Sequence, residues 1–470
     1  MRIFTIGEIC GAIGGTLFTG SGESRILDIA TDSRQAKAGD LFFALKGEVT
    51  DGHRYLAGAI QNGCRSLVVS EPQMVPKDAF LSASEEPDII VVPDTTRALQ
   101  DLAAYYLGTL PLVHKIAVTG SVGKTSTRDM LYYAIRTKYK VARSIKNFNN
   151  GFGLPLSILG FAPDTEVAVL EMGMDDFGEI ERLADLVRPD IALITNIGVS
   201  HIEKLGSRTG ILQAKMEVTT YFEPQDTLIV NADCDLLTPE HTRGNYHLVR
   251  VGTDPQDDYV ISDICDFGDQ GIKYQLRRKD KTYEIRLPLP GAHNAGNATL
   301  VIAAAELLGI TPDEAAAGMQ EAELTGNRLK IRQANGIKVI DDSYNACPAS
   351  TKSAIQTLTA TQGKRKIAIL GDMLELGSES RSGHLEVGAF AAQNGVDLLV
   401  AIGKDAAYYA EGAAGHLDTA KIRYFPEKKD FLQALPELLQ PGDVVLVKAS
   451  RSMELEEIAD CICEPDRGAH

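Results

Sequence analysis

Apolar residues run along the chain in short clusters whose spacing changes from segment to segment. Over roughly the first ninety residues the runs ILDIATDSR, DLFFALKG, SLVVS and DIIVVPD are brief, β-branched or aromatic, and bounded by turn residues, which predicts the strands of a small α/β domain. After Pro93 the period lengthens to that of a helix through TTRALQDLAAYYLG. Pro111 then precedes KIAVTGSVGKTSTRDMLYYAI, a strand, a glycine turn and a helix in succession. Strand-like EVAVLEMG, DIALITNIG and DTLIVNAD alternate with helix-like FGEIERLADLV and SRTGILQAKMEVTTYF, the order of a doubly wound, mainly parallel sheet. Residues 246–290 alternate polar and apolar positions and predict an antiparallel hairpin appendage, followed by a helix at ATLVIAAAELLG. A second α/β alternation begins after Arg328, with strands at IKVIDDSY, KIAILGD, VDLLVAIG, IRYFP and DVVLVKAS. The expected fold is α/β in three domains: a small N-terminal domain over 1–93, a central doubly wound domain with a phosphate loop over 94–326, and a Rossmann-like domain over 327–470.

Composition narrows the function classes. A chain of 470 residues exceeds what one hydrophobic core supports, and 44% apolar with 24% charged residues is ordinary for globular enzymes. The net charge of −17 opposes bulk nucleic-acid binding, which needs clustered Lys and Arg, but leaves room for a local basic pocket around a phosphorylated small molecule. Seven cysteines without a CxxC pair read as reduced thiols rather than a disulfide frame or zinc site. No run approaches the ~20 apolar residues that span a bilayer, and MRIFTIGEICGAIGG lacks the plan of a secretory signal. A cytoplasmic location without membrane insertion is the expectation.

The candidate chemistry starts at residues 119–127, TGSVGKTST. A strand ending at Thr119, a turn through Gly120, Ser121, Val122 and Gly123, and a helix opened by Lys124, Thr125 and Ser126 would gather backbone N–H groups and the positive end of a helix dipole around a phosphate. Lys124 can neutralise the β and γ phosphates of a nucleoside triphosphate, and the Thr125 hydroxyl can reach magnesium. Val118 stands where the full GxxxxGK[ST] form has its first glycine. Glu171 and His201 follow successive strands and belong at the carboxyl edge where such sheets bind ligands. Glu171 is a hard oxygen donor suited to magnesium, although a lone strand-end carboxylate or histidine is equally at home in an ordinary hydrogen bond. Lys215, in ILQAKMEV, reads from its pattern alone as a solvated helical lysine.

Taken in order, these residues resemble the Mur ligase family of cytoplasmic peptidoglycan amino-acid ligases, and the similarity runs across essentially the whole chain. It is carried by TDSRQAKAGDLFFALKGEVTDGH, KNFNNGFGLPLSIL, EMGMDDFGEI, DDSYNACPAS, ILGDMLELG and KASRSMELEE, and is strongest to the members that join D-alanyl-D-alanine to UDP-N-acetylmuramoyl-tripeptide. The resemblance implies carboxylate activation by ATP with Mg2+, an acyl-phosphate intermediate, and attack by the incoming amine. It implies that Lys124 and Thr125 serve the phosphates, that Glu171 binds a first magnesium, that His201 binds a second, and that Lys215 is carbamylated as a further metal ligand. It implies nucleotide contacts for Asn294, Arg328, Asp342 and Asn345, a UDP-sugar site at Ser33 and Arg34, and a muramoyl-peptide site at Asn149 and Asn150. It names no obligate protein partner.

Local readings stand beside these roles. Asn294 could cap the helix that follows, Asp342 and Asn345 could organise a turn, and the pairs Ser33–Arg34 and Asn149–Asn150 could cap loops. Cys347 and Ala449 depart from the asparagine and glycine usual at those positions, both in the domain expected to receive the dipeptide. Another ligase of the family or a folylpolyglutamate-type relative is the near alternative. The DNPR-like motif expected of the enzyme adding the third amino acid is missing from the third domain. A nucleotide-binding regulatory module without turnover is the alternative from a different class.

Overall fold

The computed structural model describes residues 3–47, 50–76 and 87–464. The chain divides into two compact units, one formed by Met1–Ala117, Tyr139–Met174 and Gly178–Asp190, the other by Val118–Lys138, Asp175–Phe177 and Ile191–His470.

In the first unit a five-stranded sheet runs in the order Thr16–Thr19, Asp88–Val91, Ser66–Val69, Asp40–Phe43, Asp28–Ala30. All neighbours are parallel except the pair made by Thr16–Thr19. The inner strands Asp40–Phe43 and Ser66–Val69 are buried at every position, and apolar after their first residue, because both of their faces are covered. The helix Thr95–Thr109 begins at Asp94, whose carboxylate accepts the Thr96 and Arg97 N–H groups at 2.8 and 3.1 Å. It buries Leu99, Leu102, Ala103 and Tyr106 at helical spacing. The strands Val141–Arg143 and Val167–Glu171 pair in parallel, and the second is buried throughout, so its terminal Glu171 is a carboxylate carried out of a dry strand.

In the second unit Ile191–Ile194, Thr227–Asn231, His247–Gly252 and Tyr259–Asp266 pair in parallel succession. Ile272–Arg278 and Lys281–Leu287 then continue the same sheet antiparallel. The segment expected as an appendage is therefore an extension of the sheet. Its alternation has a physical reason: Ile272, Tyr274, Leu276, Ile285 and Leu287 are buried on one face, and the Tyr274 hydroxyl meets Thr299 Oγ1 at 3.0 Å on the helix Asn294–Leu307. That helix is apolar nearly all round, as a helix enclosed on every side must be.

The same unit holds a six-stranded sheet in the order Lys330–Ala334, Ile337–Asp341, Asp443–Lys448, Arg365–Gly371, Leu398–Ile402, Ile422–Phe425. Only the first of these, an edge strand the hydrophobic pattern did not predict, is antiparallel. Successive residues feed opposite cores. Ile340, Ala368, Leu370, Leu399 and Leu446 pack on one face, Val339, Ile367, Ile369, Val400 and Val445 on the other. Helices on both faces of a mainly parallel sheet make this the expected Rossmann-like arrangement. No helix among the described residues is long and apolar enough to cross a membrane.

Candidate active site

The strand His114–Thr119 leads into the glycine turn, and the helix Lys124–Ile135 opens directly after it. Two glycines make the turn possible. Gly120 has φ 144°, and a Cβ there would fall 1.9 Å from Thr195 Oγ1; Gly123 has φ 88° and abuts the Asn297 carboxamide. The turn is braced by the residues that follow the strand Ile191–Ile194. Thr195 Oγ1 donates to Val122 O at 2.6 Å, Asn196 Oδ1 accepts the N–H groups of Ser121 and Val122 at 3.1 and 2.9 Å, and Gly198 N–H donates to Ser121 Oγ at 2.8 Å. Lys124 Nζ donates to Gly120 O at 2.7 Å, folding its ammonium over the turn. Thr125 is buried at the helix start, with Ser126 partly buried beside it.

His201 and Lys215 belong to the same electrostatic neighbourhood as Lys124. His201 lies in the left-handed region at φ 66°, with Nδ1 3.2 Å from Asp175 Oδ1 and 3.9 Å from Glu375 Oε2. Burial, then the charge of Lys124, pull its pKa down to about 4, with Asp175 opposing, so the imidazole is neutral and holds a lone pair for a metal. Lys215 ends the helix Arg208–Met216 and is buried, not solvated as its pattern implied. Burial and the Lys124 charge push its amine well below the ordinary lysine range. The sequence pattern could not reveal this, because a lysine at a helix end reads the same whether it faces water or a closed pocket.

Glu171 lies in the other unit. Its N–H donates to Ser144 Oγ at 3.1 Å, and its Oε1 accepts Asn149 Nδ2 at 2.9 Å. A Cβ on Gly173 would fall 2.9 Å from the Asn149 carboxamide, which is thereby held against the carboxylate. Asn150 Oδ1 accepts the N–H groups of Phe152 and Gly153 at 3.2 and 2.9 Å, a capping position before the helix Gly153–Leu159. Also in this unit, Arg34 is largely exposed and forks onto Asp32 with Nε and Nη2 bonds of 2.9 and 2.7 Å, holding that carboxyl down to about 2. Ser33 O accepts Asn62 Nδ2 at 2.8 Å. Glu48 and Val49, within the motif that begins at Thr31, lie outside the described residues.

The remaining nucleotide candidates gather in the second unit. Asn294 is the first residue of its helix rather than the cap, which is His293; its Nδ2 donates to Pro290 O at 2.7 Å and its Oδ1 accepts Asn297 Nδ2 at 3.2 Å. The Arg328 guanidinium lies 4.0 Å from the centre of the Tyr344 ring. Asp342 Oδ1 accepts Leu329 N–H at 3.1 Å, while its Oδ2 takes Lys448 Nζ at 2.5 Å. Lys448 also donates to Asn345 O at 2.8 Å, so a buried ammonium fastens the DDSYNA loop. Cys347 takes the cap position of the helix Pro348–Ala360. Ala449 packs where Gly371 leaves no side chain.

Three family models match the chain: "Mur ligase family, catalytic domain" over residues 25–107, "Mur ligase middle domain" over 118–305, and "Mur ligase, glutamate ligase domain" over 327–451. The UDP-N-acetylmuramoyl-tripeptide–D-alanyl-D-alanine ligase of Bacillus subtilis (strain 168) is 39% identical over 463 residues, 98% of each chain. The chain belongs to the Mur ligase family. Among solved structures, MurF from Acinetobacter baumannii superposes with a TM-score of 0.87 at 32% identity, covering 98% of this chain and 99% of that one. MurF ligase from Thermotoga maritima in complex with ADP gives 0.79 at 26% identity, covering 93% and 96%. This Mur ligase thus has Lys124 of its glycine turn, His201 and Lys215 in one electrostatic neighbourhood. Residues that no motif singled out hold these parts in place: Thr195, Asn196 and Asn297 at the glycine turn, Tyr344 beside Arg328, and Lys448 beneath the loop of Asp342 and Asn345. Asn196 lay in the quoted TNIG turn and Lys448 in KASRSM, but nothing in either motif says which way the side chain points.

Proposed function

We propose that this chain is the ATP-dependent ligase that joins D-alanyl-D-alanine to UDP-N-acetylmuramoyl-tripeptide in cytoplasmic peptidoglycan precursor synthesis. The observation that carries the reading is the similarity along 98% of the chain to the Bacillus subtilis enzyme of that name. Residues 1–93 would bind the UDP-sugar, with Ser33 and Arg34 near the diphosphate, while Asn149 and Asn150 of the central domain would face the peptide. Residues 94–326 would hold ATP, and 327–470 would receive the dipeptide and complete the nucleotide site through Arg328, Asp342 and Asn345, with Asn294 at the adenine.

The chemistry balances in two steps. A tripeptide carboxylate oxygen bonds to the γ phosphorus as ADP leaves with the bridging electron pair. The dipeptide amine then attacks the acyl carbon, loses its proton, and phosphate departs carrying the former carboxylate oxygen. Lys124 and the N–H groups at the helix start supply positive charge where phosphate charge concentrates. Asn149 holds the Glu171 carboxylate in one orientation, and Lys448 fixes the loop bearing Asp342 and Asn345.

The residues fit magnesium on one condition. Neutral His201, the Thr125 hydroxyl and the Glu171 carboxylate suit it, whereas an ammonium at Lys215 would repel it. Burial shifts Lys215 toward its neutral amine, the form that reacts with carbon dioxide, and as a carbamate it becomes an oxygen donor. Glu171 would then bind a first Mg2+ and His201 with carbamylated Lys215 a second, the Thr125 hydroxyl being a further magnesium donor beside the phosphates, and the metal when bound neutralises phosphate charge. ATP turnover that requires both UDP-N-acetylmuramoyl-tripeptide and D-alanyl-D-alanine tests the reading; turnover indifferent to either substrate would overturn it.

A further inference from the structure

The phosphate loop of this chain is short, with Val118 in place of the first glycine of the longer form, and it does not hold its own shape through internal hydrogen bonds alone. Its backbone donors are divided. The N–H groups of Ser121 and Val122 both end on the single Asn196 Oδ1, at 3.1 and 2.9 Å. Asn196 O accepts Ser121 N–H as well, at 3.1 Å. The flanking residues work on the same turn, Thr195 Oγ1 on the carbonyl of Val122 at 2.6 Å and Gly198 N–H on the hydroxyl of Ser121 at 2.8 Å. The segment 195–198 is thus a template pressed against the loop.

We infer that Asn196 is a positioning residue for nucleotide binding: its neutral carboxamide oxygen fixes the Ser121–Val122 peptide groups and with them the shape of the turn that leads into the helix Lys124–Ile135. The choice of a neutral acceptor has a reason. An aspartate could accept the same two N–H groups, but it would set a full negative charge beside the phosphates. Alanine would leave the half-buried Val122 N–H without its acceptor and Ser121 N–H with only the backbone carbonyl of residue 196, and so let the turn move. The inference rests on the loop being the nucleotide site, so wild-type protein titrated with ADP is the control for that reading. Wild type that does not bind ADP would remove the nucleotide assignment itself.

The experiment compares wild type, Asn196→Ala and Asn196→Asp by ADP calorimetry and by amide hydrogen exchange of the loop peptide without nucleotide. In Asn196→Ala, loss of the side-chain acceptor should speed exchange chiefly at Val122, Ser121 keeping its bond to the backbone carbonyl of residue 196, and weaken ADP by roughly tenfold. In Asn196→Asp, exchange protection should return to the wild-type level while ADP binding stays weak and improves as ionic strength rises. That split separates positioning from a general structural role, which would move both readouts together. Unchanged or tighter ADP binding by Asn196→Ala, when wild type binds normally, would overturn the inference, because the carboxamide would then be idle or a competitor for the phosphate donors. Failure of Asn196→Asp to restore protection would overturn it as well.

Discussion

Asp129 gives the sharpest structural prediction. Its Oδ1 accepts the neighbouring Arg128 through Nε at 3.0 Å and Nη2 at 2.6 Å, and its Oδ2 accepts Thr325 N–H at 2.6 Å, while Arg128 Nη2 also donates to Thr325 Oγ1 at 3.0 Å. Both side chains are at most 1% exposed. The pair therefore ties the phosphate-loop helix to the segment just ahead of Arg328. In Asp129→Asn the shape survives, but the buried Arg128 guanidinium loses the negative charge of Asp129, and breaking a buried pair of this kind costs about 3–5 kcal/mol. At about 1.4 kcal/mol per power of ten, protection factors for amides of the helix Lys124–Ile135 should fall by roughly two to three and a half powers of ten. Native-state hydrogen exchange reads this locally, without treating a chain of several domains as two-state. The double replacement Arg128→Met with Asp129→Leu removes both charges and should regain most of the loss. A loss below about 1 kcal/mol in the single variant, or a double variant no better than the single, would refute the reasoning.

Two further outcomes bear on the site. Lys124→Ala should lower turnover by orders of magnitude while circular dichroism shows the fold intact, since the residue sits at the partly exposed start of its helix; near-normal turnover in the folded variant would contradict its role. Lys215→Ala should lose most activity yet keep ADP binding, with partial recovery on adding a small carboxylate, and wild type should show a carbamate carbon signal after labelling with carbon-13 bicarbonate; a wild type without that signal would refute the modification.

Much of the architecture was legible because hydrophobic period reports which face of an element is dry. The strands of the third sheet, from IKVID to DVVLVK, were read directly from it. The same period could not tell that Ile272–Arg278 and Lys281–Leu287 extend a sheet, since alternation shows a buried face but not what covers it. Edge strand Lys330–Ala334 escaped because it is mostly polar. At the site, Lys124 and Thr125 were legible from a glycine turn between strand and helix. Lys448 was not, because its partner Asp342 is 106 residues away. The burial of Lys215 escaped for a related reason: it depends on the tertiary surroundings of one helix end.

The central claim is that ATP activates the tripeptide carboxylate as an acyl phosphate for attack by the dipeptide. It is tested most directly by supplying UDP-N-acetylmuramoyl-tripeptide with oxygen-18 in its reacting carboxylate, together with ATP and D-alanyl-D-alanine, and weighing the released phosphate by mass spectrometry. Transfer of one oxygen-18 to each phosphate, with phosphate release requiring both substrates, is the predicted result. Phosphate released without the label would contradict it.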